Sequence, residues 1–224
     1  MKIYNLKTWT VINLIFLKLS EKNNLRLCTG VHNGIEGRAV FNKDISARKR
    51  YFLEKRWREG ENILTAIMMN PSNAAHDNTD DTVDQLIEVA QNYNYDALYV
   101  VNVSSFIGGS SSKLNSDKFV FDKINWRFIQ QAMKESNMIF VGWGMKGQKA
   151  IFQHQKVNGI VLKTFMMKKH SIYTYEFMNS KNKIYSKKPF YYVTHPRPLR
   201  NKEKYRQQKL YKLTQVQLNK LLTR

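Results

Sequence analysis

Three apolar runs in this chain close on a polar side chain that can do chemistry: TAIMMN ends at Asn70, LYVVN at Asn102 and FYYVTH at His195. A carboxamide donates and accepts hydrogen bonds at once, and an imidazole can do either near neutral pH, so such groups both recognise a ligand and move protons. Taken singly, an Asn or His after a strand is equally a turn residue bonding its own backbone. In an open parallel sheet, however, the carboxyl ends of strands form the ligand crevice, so three such residues are expected to converge in one cleft.

The intervening elements have to place them. NILTAIMMN is a short apolar run stopped by Asn70-Pro71, which reads as a buried strand and a turn. DTVDQLIEVAQNYN has Val83, Leu86, Ile87 and Ala90 at helical spacing, with Asp80, Asp81 and Thr82 as capping candidates. DALYVVNV reads as a second strand, GGSSSKL as a loop, DKFVFDKINWRFIQQAMKES as a long helix and NMIFVGWG as a third strand. That alternation predicts a parallel sheet with crossover helices. Beyond it the expectation is a helix from GMKGQKAIFQHQK, a strand from GIVLKTF, and β-rich surface structure through SIYTYEFMN and SKNKIYSKK. A last strand follows in PFYYVTHPRPLR, then a basic amphipathic helix over 201–224. Residues 1–44 read as a β-rich extension, because YNLKTWTVINLIFLKL alternates and the stretch after it is broken by Gly and Asn. In ARKRYFLEKRWR a strand fits and a short helix remains open.

Composition narrows the classes. With 224 residues, 42% of them hydrophobic and only 10 Gly and 4 Pro, the chain can bury a core and is not low-complexity. Against 17 acidic residues stand 37 Lys and Arg, a net charge of +20, which points to a polyanionic partner. The single cysteine, Cys28, makes no internal disulfide and no four-cysteine metal site, and a reducing compartment is expected. WTVINLIFL falls short of the roughly 20 residues needed to cross a bilayer, and no signal peptide is read.

VGWGMKGQK followed by THPRPLR resembles the C-terminal half of the uracil-DNA glycosylase superfamily, in which a strand ending in Trp-Gly leads into a helix and a later strand ends in a His-Pro-x-Pro-Leu loop. Here that loop is His195-Pro196-Arg197-Pro198-Leu199. The superfamily's first motif is matched by Met69-Asn70-Pro71-Ser72, closest to the Asn-Pro form, and its second by Val100-Val101-Asn102. Over roughly residues 46–199 the chain also resembles a bacterial and phage family of uncharacterised domains marked by Asn-Pro-Ser, an Asp-Asp-x-Thr-like segment, a strand with Asn, a Trp-Gly strand and a His-Pro loop.

The resemblance implies a three-layer α/β/α fold with a central, mostly parallel sheet over residues 45–224, carrying the β-rich extension of 1–44. It implies a monofunctional uracil-DNA glycosylase that flips the nucleotide from the stack and leaves an abasic site, with no metal or other cofactor. Asn102 would accept from uracil N3–H and donate to O4, a pattern that cytosine reverses. His195 would donate to uracil O2 as charge develops on the leaving base, its loop stiffened by Pro196. Asn70 would orient the attacking water, helped by Pro71 and Ser72; as an amide it cannot take the proton, which predicts a slow enzyme. Leu199 falls at the wedge position, and Arg197, Arg200 and Lys202, with Lys204 and Arg206, would meet phosphates. Expected partners are uracil-containing DNA, single- or double-stranded, and a DNA-mimicking inhibitor protein, with the chain monomeric, off the membrane, and cytoplasmic at the nucleoid.

Departures from the pattern matter equally. Ser72 replaces the bulky residue that excludes thymine's methyl group in many superfamily members. Where an aromatic ring should stack the base the chain has TDDTVDQ, so Phe106 or Trp57 would have to serve, and Asp80, Asp81 and Thr82 either cap a helix or line the pocket. The insertion at about 155–189 is long, basic and tyrosine-rich, suited to a DNA-contacting flap or a plain hairpin. No lysine closes a strand, so no lyase step is expected; His32, His76, His154 and His170 have no comparable context. The alternatives are a glycosylase fold kept as a weakly active or inactive nucleic-acid-binding module, a glycosylase for another modified base, and a metallonuclease using Asp77, Asp80 and Asp81.

Overall fold

The computed structural model describes residues 10–44, 46, 48–108, 115–167, 171–181, 183–185 and 187–223. Of the loop expected over 108–114, residues 109–114 lie outside them, as do His170 and the first nine residues of the extension.

In chain order the elements are α1 (Thr10–Lys22), β1 (Leu25–His32), β2 (Ile35–Asn42), β3 (Arg50–Arg56), β4 (Ile63–Met68), α2 (Asp81–Asn92), β5 (Ala97–Asn102), α3 (Lys123–Glu135), β6 (Met138–Gly142), α4 (Gly144–Asn158), α5 (Ile160–Met167), β7 (Ile172–Thr174), β8 (Phe177–Asn179), β9 (Tyr191–Val193), β10 (Tyr211–Lys212) and α6 (Gln215–Leu222). Eight strands form one sheet in the order β1-β2-β3-β5-β4-β6-β7-β10. Its central four, β5-β4-β6-β7, are parallel, and antiparallel strands extend it on both flanks. Two hydrophobic clusters flank the sheet. One takes its helical residues from α2, the other from α1, α3, α4, α5 and α6. The fold is thus the expected three-layer α/β/α.

β4 and β5 are apolar but for Thr65 and the terminal Asn102 and are buried on both faces, as strands between two helical layers must be. α2 starts where Asp80 accepts from the amides of Thr82 and Val83, and it buries Val83, Leu86, Ile87 and Ala90. The β-rich extension is the β1–β2 hairpin, closed by Asn33-Gly34, both at positive φ, and zipped onto β3.

Five local expectations differ from the structure. Residues 10–22 are the helix α1, whose Phe16 stacks on Phe52 with centroids 4.0 Å apart; burying that one ring contributes about 2 kcal/mol, enough to override a strand-like pattern. GIVLKTF is α5: Gly159, at φ 65°, ends α4, and Val161 and Phe165 then share one buried face. The helix read from Asp117 starts later, because Asp122 caps it by accepting from Ile124 and Asn125; Ser116–Phe119 is a separate 3-10 turn. The C-terminal helix covers Gln215–Leu222 alone, set by the Thr214–Gln217 capping box, while Tyr205, Leu210 and Leu213 tuck into the core before it. Finally, Tyr191–Val193 pairs with β8 in a two-stranded ribbon and not in the main sheet.

Candidate functional site

β4 leaves the sheet toward β5 and β6 leaves toward β7, in opposite directions from adjacent strands. The carboxyl ends of β4 and β6 therefore straddle a topological switch point, where a crevice opens in open α/β sheets. Met68 pairs with Asn102 on one side and with Gly142 on the other, so Asn70, Asn102 and Trp143-Gly144 rise from the same edge. The His195 loop reaches this edge from the β8–β9 ribbon. A Cβ on Gly142 would stand 3.0 Å from Pro196 Cδ, and one on Gly144 would stand 3.8 Å from His195 Cβ. Glycine at 142 thus leaves room for the Phe140 ring, whose Cε1 would stand 2.6 Å from that Cβ, and for Pro196 of the loop. Asn70, Asn102 and the His195 loop thus lie at one edge of the sheet, His195 arriving from outside the main sheet.

The ladder between β4 and β5 continues past the strand ends, with Val103 N donating to Met68 O and Ser104 N to Met69 O, both at 2.9 Å. Asn70 Nδ2 donates to Pro71 O at 3.0 Å and to Gly108 O at 2.9 Å. Only an NH2 group can face two carbonyls, so the amide is fixed and Oδ1 is turned away as an unused acceptor among the described residues. Pro71 is buried and its carbonyl also accepts from Gly108 N; Ser72 is partly exposed.

Asn102 is 2% exposed, and its carboxamide has no hydrogen-bond partner among the described residues. Its amide atoms nevertheless keep slight contact with solvent. A buried polar group left unpaired costs about 1–3 kcal/mol unless something else satisfies it. Beneath it, buried Asn125 donates to Asn102 O at 2.8 Å and to Val103 O at 3.2 Å.

His195 Nδ1 lies 3.1 Å from both the amide nitrogen and the carbonyl oxygen of Arg197. A neutral ring that accepts from that amide carries its proton on Nε2, and one that donates to that carbonyl carries it on Nδ1. Burial pushes the imidazole below its usual range; the Arg197 backbone and the charge of Asp80 oppose this.

Other expected groups are placed differently. Arg197 is ion-paired with Asp81, its side chain 16% exposed, so it is committed to α2 and not presented to a phosphate. Lys204 binds Glu176 at 2.8 Å and Arg206 binds Glu203 at 3.0 Å, whereas Arg200 and Lys202 are exposed and carry no ion pair among the described residues. Leu199 is 75% exposed. Trp57 donates to Tyr95 O at 3.0 Å beside the start of β5, at the opposite edge of the sheet, and cannot stack a ligand here. Phe106 is on the correct edge, just past Asn102, with the ammonium groups of Lys49 and Lys118 over its ring at 4.7 and 4.6 Å. Asp77, Asp80 and Asp81 take separate partners, and among the described residues no three His, Cys, Asp or Glu side chains group to hold a metal ion. The 155–189 insertion holds the end of α4, α5, β7 of the main sheet and β8 of the ribbon, and Ser180 just after β8 donates to Met145 Sδ at 3.8 Å near the start of α4.

Arg50 was invisible in the sequence. It is 1% exposed, its Nη1 donates to Ala74 O, and its Nε has no partner among the described residues. Burial lowers its pKa to about 10, against the pull of Asp80. Its neighbours in ARKRYFLEKRWR are mostly basic and aromatic, and nothing local distinguishes a buried guanidinium from a solvated one.

Two cavities of about 440 Å³ lie elsewhere, one between α1, α3 and α5 and the other between α4, β9 and α6. No helix among the described residues is long and apolar enough to cross a membrane.

A family described as "Protein of unknown function (DUF1643)" matches residues 50–186, which holds β3 to β8 but stops short of β9 and His195. No curated protein matches the chain. Among solved structures it is similar to an acetyl xylan esterase from Paenibacillus sp. R4, at 9% identity and a TM-score of 0.31, over 69% of this chain and 58% of that one. That likeness is too slight to bear on fold or activity.

Proposed function

We propose that this chain, which belongs to the DUF1643 family, is a uracil-DNA glycosylase that hydrolyses the N-glycosidic bond of a flipped-out uracil. The observation that carries the reading is Asn102, a buried carboxamide at the switch point whose hydrogen bonds are left for a ligand. One amide that accepts from N3–H and donates to O4 selects uracil over cytosine.

The other groups suit the same chemistry. Glycosidic cleavage sends an electron pair onto the base, and a neutral imidazole with its proton on Nε2 can support the charge growing on O2 without carrying a full charge itself. Burial favours the neutral form of His195. The free Oδ1 of Asn70 can orient a water toward the sugar. Exposed Leu199, Arg200 and Lys202 follow directly after the His195 loop, as an apolar wedge with two phosphate contacts would need to.

The test uses end-labelled oligonucleotides, single- and double-stranded, each with one uracil, incubated with the full chain in EDTA and then treated with alkali. The expected result is a cut at uracil, slowed roughly 10²- to 10³-fold in His195→Ala, the usual loss for one oxyanion donor. Salt-sensitive binding without a cut would overturn the reading in favour of a binding module or a different base.

A further inference from the structure

Hydrolysis at this site leaves a proton to be collected. When the C1′–N bond breaks, its electron pair leaves on the base, water adds to C1′, and that water must lose one proton. The Asn70 carboxamide can orient the water but is no base. A carboxylate in the same cleft can be both.

Asp80 is held at the N-cap of α2 through Oδ1, which accepts from Thr82 N and Val83 N at 3.0 Å each. Its Oδ2 has no hydrogen-bond partner among the described residues. Two contacts press the start of α2 against the His195 loop: the Asp81–Arg197 ion pair, and Gln85 Nε2 donating to Pro196 O at 3.4 Å. On its other flank is Arg50, buried, with an orphaned Nε and an anchor on Ala74 O in the loop that leads to Asp80. The charge of Asp80 acts on both His195 and Arg50, opposing what burial does to each. The remaining charged groups nearby are committed elsewhere. Asp81 is matched by Arg197, Asp77 and Asp84 lie toward Lys55, and Glu176 is bound by Lys204 and Tyr205.

We infer that Asp80 is a further catalytic residue of this site, the carboxylate that accepts the proton of the attacking water oriented by Asn70. This rests on the glycosylase reading. The proton passes on to the departed base anion or to solvent, which restores the carboxylate and leaves uracil and an abasic sugar.

Asp80→Asn is the informative variant, because asparagine caps a helix as well as aspartate does and α2 keeps its start. The full-length protein is titrated by NMR without DNA to follow the His195 imidazole, and single-turnover cleavage and binding of a uracil oligonucleotide are measured beside it. The expected outcome is a His195 pKa lower than in the wild type, cleavage slowed roughly 10²- to 10⁴-fold, and unchanged DNA binding. Asp77→Asn should alter none of the three. An unmoved His195 titration overturns the placement whether or not the protein cleaves uracil. A shifted titration with undiminished cleavage overturns the proton-accepting role. A wild type that cleaves no uracil overturns the glycosylase reading and this role with it, while the titration still reports whether Asp80 and His195 share a site.

Discussion

Asn125 offers the sharpest test of how the Asn102 strand end is held. Its Nδ2 donates to the carbonyls of Asn102 and Val103, it is fully buried, and its Oδ1 has no partner among the described residues. Asn125→Asp keeps the shape and removes both donors. An ionised carboxylate there would face two carbonyl oxygens with no donor in reach, so the folded protein should keep the new side chain protonated. The unfolded chain loses that proton near the ordinary Asp value of about 3.9, so folded stability drops as pH rises above it, by about 1.4 kcal/mol per unit. At pH 7 the penalty comes to about 4 kcal/mol, and at pH 5 to about 1.5. The protonated acid can satisfy only one of the two carbonyls, which adds about 1 kcal/mol at either pH. Urea unfolding of wild type and variant at both values should therefore show a deficit that grows by roughly 3 kcal/mol from pH 5 to pH 7. A deficit that changes by less than about 1 kcal/mol over that interval would mean that the carboxylate finds a donor or water, and that Asn102 is not secured as described.

Two further outcomes follow from other parts of the molecule. His154 accepts from Trp126 Nε1 at 3.0 Å on Nδ1 and donates from Nε2 to Phe119 O at 2.7 Å, and burial holds its pKa below the usual value. The unfolded chain then takes up a proton first as pH falls through about 6.5, so stability should be lost on acidification by up to about 1.4 kcal/mol per unit; in His154→Gln the loss should be shallower, and parallel curves for the two proteins would refute this. Leu199→Ala removes a side chain that is 75% exposed, so unfolding should change by no more than about 0.5 kcal/mol. Cleavage of uracil in duplex should nevertheless fall more than in single strands, and an equal effect on both would rule out a wedge.

Much of the parallel centre was legible in the sequence. β4, β5 and β6 are continuous apolar runs ended by polar or glycine residues, and α2 carries its cap and its buried face within one short window. Such features arise from hydrogen bonds and side-chain spacing within a few residues, which any reader of the chain can see. α1 and α5 were misread because a short apolar run is compatible with either backbone until a partner surface selects one. Phe16 finds Phe52, and Val161 and Phe165 find the core.

The candidate site divides the same way. Residue types at Asn70, Asn102 and His195, and the wish of Asp80 to cap a helix, belong to the sequence alone. That Arg197 is spent on Asp81, that Gln85 reaches Pro196, that Arg50 is buried beside the loop to Asp80, and that His195 comes from a separate ribbon belong to the tertiary structure. These contacts join residues far apart in the chain, and which ones form depends on strand order and on which face each crossover helix covers. No local window carries that information, because each such contact is stabilised only once the whole sheet has closed around it.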